Sequence, residues 1–521
     1  MQEILQGFGA KVSGVLTGFD RVRFRGFPRV LAMGGGIVSC LRSFGKRLED
    51  FGSWAEERTS AIVASAEKVT KDAGRPYQYL NNSEEAKNVL AQEIAASDRI
   101  KNGLICSFAA TEMGRTYELI KKKDSGQLLL VPRKKPCKHI YHYYMHPEFG
   151  LMHVRLQTWL PYTVTVNING RQWLARQMDK AGIKYQQEEN CFRKISKLEM
   201  AQKLMDSQLR QNWPNCLNAA LAQSNPALIS EFSPYPLNYY WTTESSEWAT
   251  DIILAEDIDP DFLQRLVRYG VIVVQSPGVF RYLGNKLTLS GKIRQNFSGR
   301  ILTKHSIRPE GACTKHWLNS NSIKIYIKAG CIIRIEVTIN DPSDFLVYRT
   351  TQGKTDKKKY WLPLRKGIAD MHRRAEVSNA ANKRYIEALK AVAPGKSLGS
   401  LLEPLNKRVK LGNSFCRPLQ PFSGQDASVL KAIARGEFSI NGFRNRDIRR
   451  IIFGDTPISK KESQRQSRVV TRLFRLLRAH GVIAKVPKTH RYVLTDYGRS
   501  LTAALLAAKN ANSMELLKLA A

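Results

Sequence analysis

The sequence predicts an α+β chain: a large basic mixed domain with a mostly antiparallel sheet, followed by a smaller C-terminal unit of helices carrying a short hairpin. Three observations lead there. Between Gly103 and Val166, and again between Ser322 and Asn340, short runs alternate apolar and polar residues and are bounded by turn residues, the mark of half-buried strands. From Lys460 to Ala484 the repeat lengthens to that of a helix. Finally, Lys and Arg number 82 against 45 acids, a formal charge of +37 over 521 residues, which points to a polyanionic partner and to more than one domain.

The C-terminal unit is the most legible. Arg465, Arg468, Arg472, Arg475 and Arg478 recur at steps of three and four, beside an apolar stripe of Val469, Leu473, Leu476 and Leu477. Gly481 stops the helix, and KVPKTHRYVL (485–494) reads as two extended segments around a basic turn with Lys488 and His490. Upstream, Asp426 is placed to cap a helix starting at Ala427, and NRDIRRIIFG forms another with Arg446, Arg449 and Arg450 exposed. Helix, helix, helix and basic hairpin make a winged helix-turn-helix pattern. Arg465, Arg468 and Arg472 are expected in the groove of duplex DNA. Lys488, His490 and Arg491 are expected on the adjacent phosphates, and Arg446, Arg449, Arg450, Lys461 and Arg475 are further nucleic-acid-binding candidates. From Pro421 onward there are 19 basic and 7 acidic residues, so about two-thirds of the excess charge lies elsewhere and a second basic surface is expected.

In order along the chain, residues 1–100 read as a mainly helical segment containing one arginine-rich strand pattern, FDRVRFRGFPRV at 19–30. Residues 101–392 form the basic α+β domain, with separate strands at GLICSFAA, TYELIKKK, QLLLVPRKK and HIYHYYM, a helix after Asn169-Gly170 that stops at Gly182, and a second helix from about 194 to 222. A helix at 259–270 and a hairpin after it faintly echo the winged pattern. Residues 393–424, rich in Pro and Gly, are expected to link this domain to the unit at 425–521.

Two clusters bear chemistry. In the Ser322–Asn340 hairpin, a three-residue loop through Cys331 keeps the faces consistent and sets Lys324 opposite Glu336 and Tyr326 opposite Arg334. Glu336 with Asp341, Asp344 and Asp251 is the best carboxylate set for Mg2+ or Mn2+ in phosphodiester chemistry, should the chain be a nuclease; a cross-strand pair of Lys324 with Glu336 accounts for the same residues. Within CKHIYHYYMH, His142 and His146 share a strand face and are the candidate metal ligands, although structural histidines explain them more simply. The tyrosines beside them, Tyr141, Tyr143 and Tyr144, fit either base stacking or a β core.

Eight cysteines with no C-x-x-C pair predict reduced thiols, and no N-terminal signal or long apolar run predicts a membrane span, so a cytoplasmic protein without a membrane partner is expected. No G-x-x-x-x-G-K-[ST] occurs, which argues against a P-loop motor, and the G-x-S-x-G match GKSLG at 395–399 falls in the Pro- and Gly-rich stretch rather than between a strand and a helix, which argues against a serine hydrolase.

LLRAHGVIAKVPKTHRYVLTDYGRSL resembles the recognition-helix end, wing and closing L-T-x-x-G turn of bacterial winged-helix regulators of the MarR and ArsR type, which implies DNA binding by the last hundred residues. KIYIKAGCIIRIEV resembles the Y-x-K, R-x-E strand pair of rolling-circle replication initiators, though the histidine-hydrophobic-histidine motif of related nickases is absent. That likeness implies Glu336 as a metal ligand and a tyrosine nucleophile. The remaining four-fifths is similar to bacterial proteins associated with repeated or mobile genes. The expected function is nucleic-acid binding, with DNA the first partner and RNA the second; a metal-dependent endonuclease, nickase or transposase and an RNA-bound scaffold are the alternatives.

Overall fold

The computed structural model describes residues 12–81, 86–233, 235–255, 264, 267, 283, 300–308, 311–350, 359–390, 398–412, 414–434, 438, 442–454, 459–487 and 489–510. The echo of a winged pattern at 259–284 lies outside these residues but for three isolated positions.

The fold is α+β around one mostly antiparallel sheet of 11 strands. In chain order these are β1 (Val12–Pro28), β2 (Tyr77–Tyr79), β3 (Gly103–Lys121), β4 (Leu128–His146), β5 (Gly150–Gln157) and β6 (Val164–Asn169). A separate hairpin, β7 (Tyr185–Glu188) with β8 (Cys191–Ile195), follows. The sheet resumes with β9 (Tyr239–Leu254), β10 (Ile301–Arg308), β11 (Gly311–Leu318), β12 (Asn321–Lys328) and β13 (Ile332–Ile339). Across the sheet the order is β10-β11-β12-β13-β9-β1-β6-β5-β4-β3-β2. Both halves follow one path: an inner strand (β1 or β9), an excursion, then a four-strand meander whose last strand returns to pair with the inner one. β1 and β9 join the halves antiparallel to each other.

Several expectations are corrected here. The segment 1–100 is mainly helical as expected, with α1 (Gly34–Ser43), α2 (Phe51–Asp72) and α3 (Lys87–Ser97), but its arginine-rich strand belongs to the 17-residue β1 at the centre of the sheet. The four strand patterns between 103 and 146 merge into two 19-residue strands, because their residues pair without a break from Cys106↔Tyr143 to Lys121↔Leu128. Helix α4 (Gly170–Lys180) begins where expected, its N-cap Asn169 accepting from Arg171 N (2.9 Å) and Gln172 N (3.1 Å). The single helix expected at 194–222 is two, α5 (Leu198–Ser207) and α6 (Trp213–Ser224), since Asn212 caps a new start with Pro214 in its first turn. The short α7 (Ala227–Ser230) follows, and α8 (Met371–Lys390) lies against the apolar face of β9 and β13, where Asn382 donates to the Trp248 and Ile335 carbonyls (3.2 and 3.1 Å).

The β12–β13 register is the one the alternation predicts: Lys324↔Glu336 and Tyr326↔Arg334, with Ala329 and Gly330 at positive φ in a three-residue turn. Ile323, Ile325, Ile333, Ile335 and Val337 are buried on the α8 side. The pair β14 (Leu346–Thr350) and β15 (Lys359–Pro363) follows.

The C-terminal residues build a core of their own from helices α9 (Leu398–Leu402), α10 (Gly424–Ile433), α11 (Asn445–Phe453), α12 (Lys460–Ala479) and α13 (Asp496–Asn510), with a small hairpin of Ile483–Lys485 and Tyr492–Leu494. Leu401, Leu405 and Leu419 are buried in it, so most of the stretch expected as a linker is part of this unit. Asp426 caps no helix; it sits in the first turn of α10, binding Arg417 at 2.7 and 2.9 Å. Among the described residues no helix is long and apolar enough to cross a membrane.

Candidate nucleic-acid interface and carboxylate centre

Alternation along the strands gathers polar side chains on one face of the sheet. Lys304 stands opposite Lys315, Lys315 opposite Lys324, and Lys324 opposite Glu336, in a row across β10 to β13. Like charges placed directly opposite each other repel. Only the last lysine meets an acid in that row, with Lys324 Nζ 2.9 Å from Glu336 Oε1. Burial, and then the Lys324 charge, hold the Lys315 ammonium below its usual range.

Beyond Glu336 the row reaches β9 and β1. A bulge opens there: Phe19 pairs with Trp248 and Arg21 with Glu247, leaving Asp20 as the extra residue. From Gly14 to Gly18 the even-numbered residues of β1 face this side, and after the bulge the odd ones do, so Asp20 and Arg21 both turn to it while Phe19 and Val22 both stay in the core. The result is a centre in which oxygens of Asp20, Glu247 and Glu336 all lie within 4.8 Å of one another. Glu336 is fully buried and accepts from Tyr326 Oη at 2.8 Å. Burial first, and the Glu336 charge second, raise the Glu247 carboxyl above the usual carboxylate range, although Lys324 and Arg21 pull the other way. The Tyr326 phenol is held well above its ordinary range by burial and then by Glu336.

The other carboxylates singled out from sequence have different work. Asp251 is bound bidentately by Arg334 (2.5 and 2.8 Å) and by Arg171 at 3.0 Å. Burial alone would raise its carboxyl; Arg171 and Arg334 outweigh that and leave it below the usual range. Arg334 also reaches Asp20 at 3.1 Å and the Asn190 carbonyl at 2.8 Å, so this pair forms the buried floor of the centre. Asp341 accepts from Ser343 N and Oγ (3.0 and 2.8 Å), and Asp344 binds Asn319 and Asn321; both shape the turn after β13 and neither joins Glu336.

The histidine pair is likewise corrected. His142 is fully buried, its Nδ1 2.8 Å from Ser107 Oγ, and burial lowers its ring to about 4. His146 Nδ1 accepts from the Glu148 and Phe149 amides (3.1 and 3.3 Å), capping the β4–β5 turn. Among the described residues neither joins a group of three metal-ligating side chains. Tyr141, Tyr143 and Tyr144 are buried, so they belong to the core.

In the C-terminal unit, Arg465, Arg468, Arg472, Arg475 and Arg478 are exposed while Val470, Leu473, Phe474, Leu476 and Leu477 are buried. Arg465 is bonded to Glu462 (2.9 and 3.0 Å), Arg475 to Ser414 and Arg449 to Ser463, so these three are held, whereas Arg468 and Arg472 project from the middle of α12. Arg446, Arg450, Lys461 and His490 are exposed, Arg491 is half-buried, and Lys488 lies outside the described residues.

The sequence reading missed Asp20 and Glu247. No spacing marks them, because they come from strands separated by more than two hundred residues and a bulge sets their direction. Comparison with family models, with curated proteins and with solved structures gives no match to this chain.

Proposed function

We propose that this chain binds nucleic acid through the polar face of its sheet and docks on duplex DNA through its C-terminal unit, read as a winged helix. The observation that carries the first part is the directly opposed row Lys304, Lys315 and Lys324: it costs the free protein repulsion, and a phosphate backbone lying along it removes that cost. The second part rests on the exposed Arg468 and Arg472 over an apolar core, followed by a hairpin, the arrangement in which a helix enters the major groove. In the 521-residue chain, Lys304→Ala with Lys315→Ala is expected to weaken binding to single-stranded oligonucleotides and to flatten its salt dependence by about one to two phosphates' worth. Unchanged affinity and slope would remove the sheet from the interface.

A second reading is favoured by the carboxylate centre. Three oxygen ligands on rigid strands suit Mg2+ or Mn2+, and a dication there would offset the burial and the Glu336 charge that raise the Glu247 carboxyl. Bound there, the ion would stabilise charge on a phosphate being cleaved or transferred. Asp20, Glu247 and Glu336 would hold it, Lys324 would contact the phosphate, and Asp251 with Arg334 and Arg171 would fix the floor. Nicking of supercoiled plasmid with Mn2+, lost in Asp20→Asn and in Glu336→Gln that still fold, supports this enzyme reading; equal nicking by those variants overturns it.

A further inference from the structure

Beside the carboxylate centre the same sheet face opens into a cleft of about 310 Å3. Its floor carries Arg21 and Arg23 on β1, Asn167 on β6 and His153 on β5; one wall is a turn of α3 with Asn88 and Gln92 at i and i+4. We propose that this cleft takes one unstacked base of a single nucleic-acid strand, with Arg21 and Arg23 on the phosphates either side; this rests on the sheet-binding reading above.

The cleft's amides are oriented before any ligand arrives. Arg23 Nε donates to Asn167 Oδ1 at 3.1 Å, and Asn167 Nδ2 lies 2.7 Å from His153 Nε2. Burial, then Arg23 and Arg155, depress the His153 ring to about 3, so it is neutral and accepts from the Asn167 amide, whose second N–H remains for a ligand. Tyr143 Oη donates to Asn88 Oδ1 at 2.8 Å from beneath, which leaves the Asn88 NH2 as a donor at the wall. Gln92 adds an amide of either sense. Amides held in fixed orientation are what read a base edge, and a space of this volume admits one base. Glu247 lines the same cleft, so the next phosphate of a strand seated here lies toward the carboxylate centre.

The test uses the full chain and three 12-nucleotide probes at one salt concentration: oligo-dA, oligo-dT and an abasic deoxyribose-phosphate strand. Wild-type protein is expected to prefer a base-bearing strand to the abasic one by about tenfold. Asn88→Ala with Gln92→Ala, both exposed helix positions, is expected to reduce that ratio to near unity while abasic binding and its salt slope stay unchanged. Equal wild-type binding of all three probes, or a ratio unmoved by the double variant, overturns the base pocket and leaves the sheet interface standing. Absence of binding to every probe overturns both.

Discussion

The residue whose chemistry is most exposed to test is Glu247. Its folded carboxyl is raised above the ordinary value, chiefly by burial and then by Glu336, so its stabilising contribution is full below about pH 4.5 and is lost as pH rises through the folded value. Glu247→Gln is therefore expected to raise the melting temperature by a few degrees above about pH 4.5 and to flatten the decline that the wild-type protein shows as pH rises from there, as thermal denaturation would register. Mn2+ should stabilise the wild-type protein and not the variant; an equal shift in both would place the ion elsewhere. Arg334 is the opposite case. It is fully buried between Asp251 and Asp20, and Arg334→Leu leaves two buried carboxylates short of a partner, a loss of about 3 to 5 kcal/mol in urea denaturation. Glu336 was legible in the sequence because strict alternation put it opposite Lys324. Asp20 was not, because the bulge that turns it outward has no signature in FDRVRFRG.

At the scale of elements, α12 makes the sharpest prediction. Arg468→Ala with Arg472→Ala removes two exposed cations with no change to the buried Val470, Leu473, Phe474 and Leu477 stripe, so duplex affinity should fall and the salt slope should shrink by about two, with stability unchanged. A binding isotherm indistinguishable from wild type at each salt concentration would take this helix out of the interface. The start of α4 is a close backbone approach. A Cβ on Gly170 would collide with the Phe19 carbonyl oxygen, a backbone atom beside the bulge that cannot yield as a side chain does. Gly170→Ala is thus expected to cost about 1 to 3 kcal/mol and to disturb Asp20 with it, read by urea unfolding and by loss of Mn2+ stabilisation. The helix itself was legible from Asn169-Gly170; that its first turn presses on β1 was not, since nothing local links residues 19 and 170.

For the whole molecule the buried histidines set the acid limit. His142 and His316 are lowered by burial to about 4 and about 3, so both fold neutral; the stability they contribute is present above about pH 6.5 and is lost as pH falls toward those values. The urea midpoint should decline from pH 6.5 to 4.5, before most carboxylates titrate, and a flat midpoint over that range would show the rings to be accessible. What the sequence by itself determined is local: strand or helix from the apolar period, the β12–β13 register from alternation and a glycine turn, the α12 arginine face, and a formal charge of +37. These are consequences of neighbours along the chain. The tertiary structure alone decided that β1 and β9 lie side by side, that Asp20 and Glu247 meet Glu336 while Asp251, Asp341 and Asp344 do not, and that the lysines of three strands line up. Long-range strand pairing brings Glu247 to Glu336, and the bulge between Phe19 and Arg21, which shifts the β1 side chains that follow it to the other face, brings Asp20 to them.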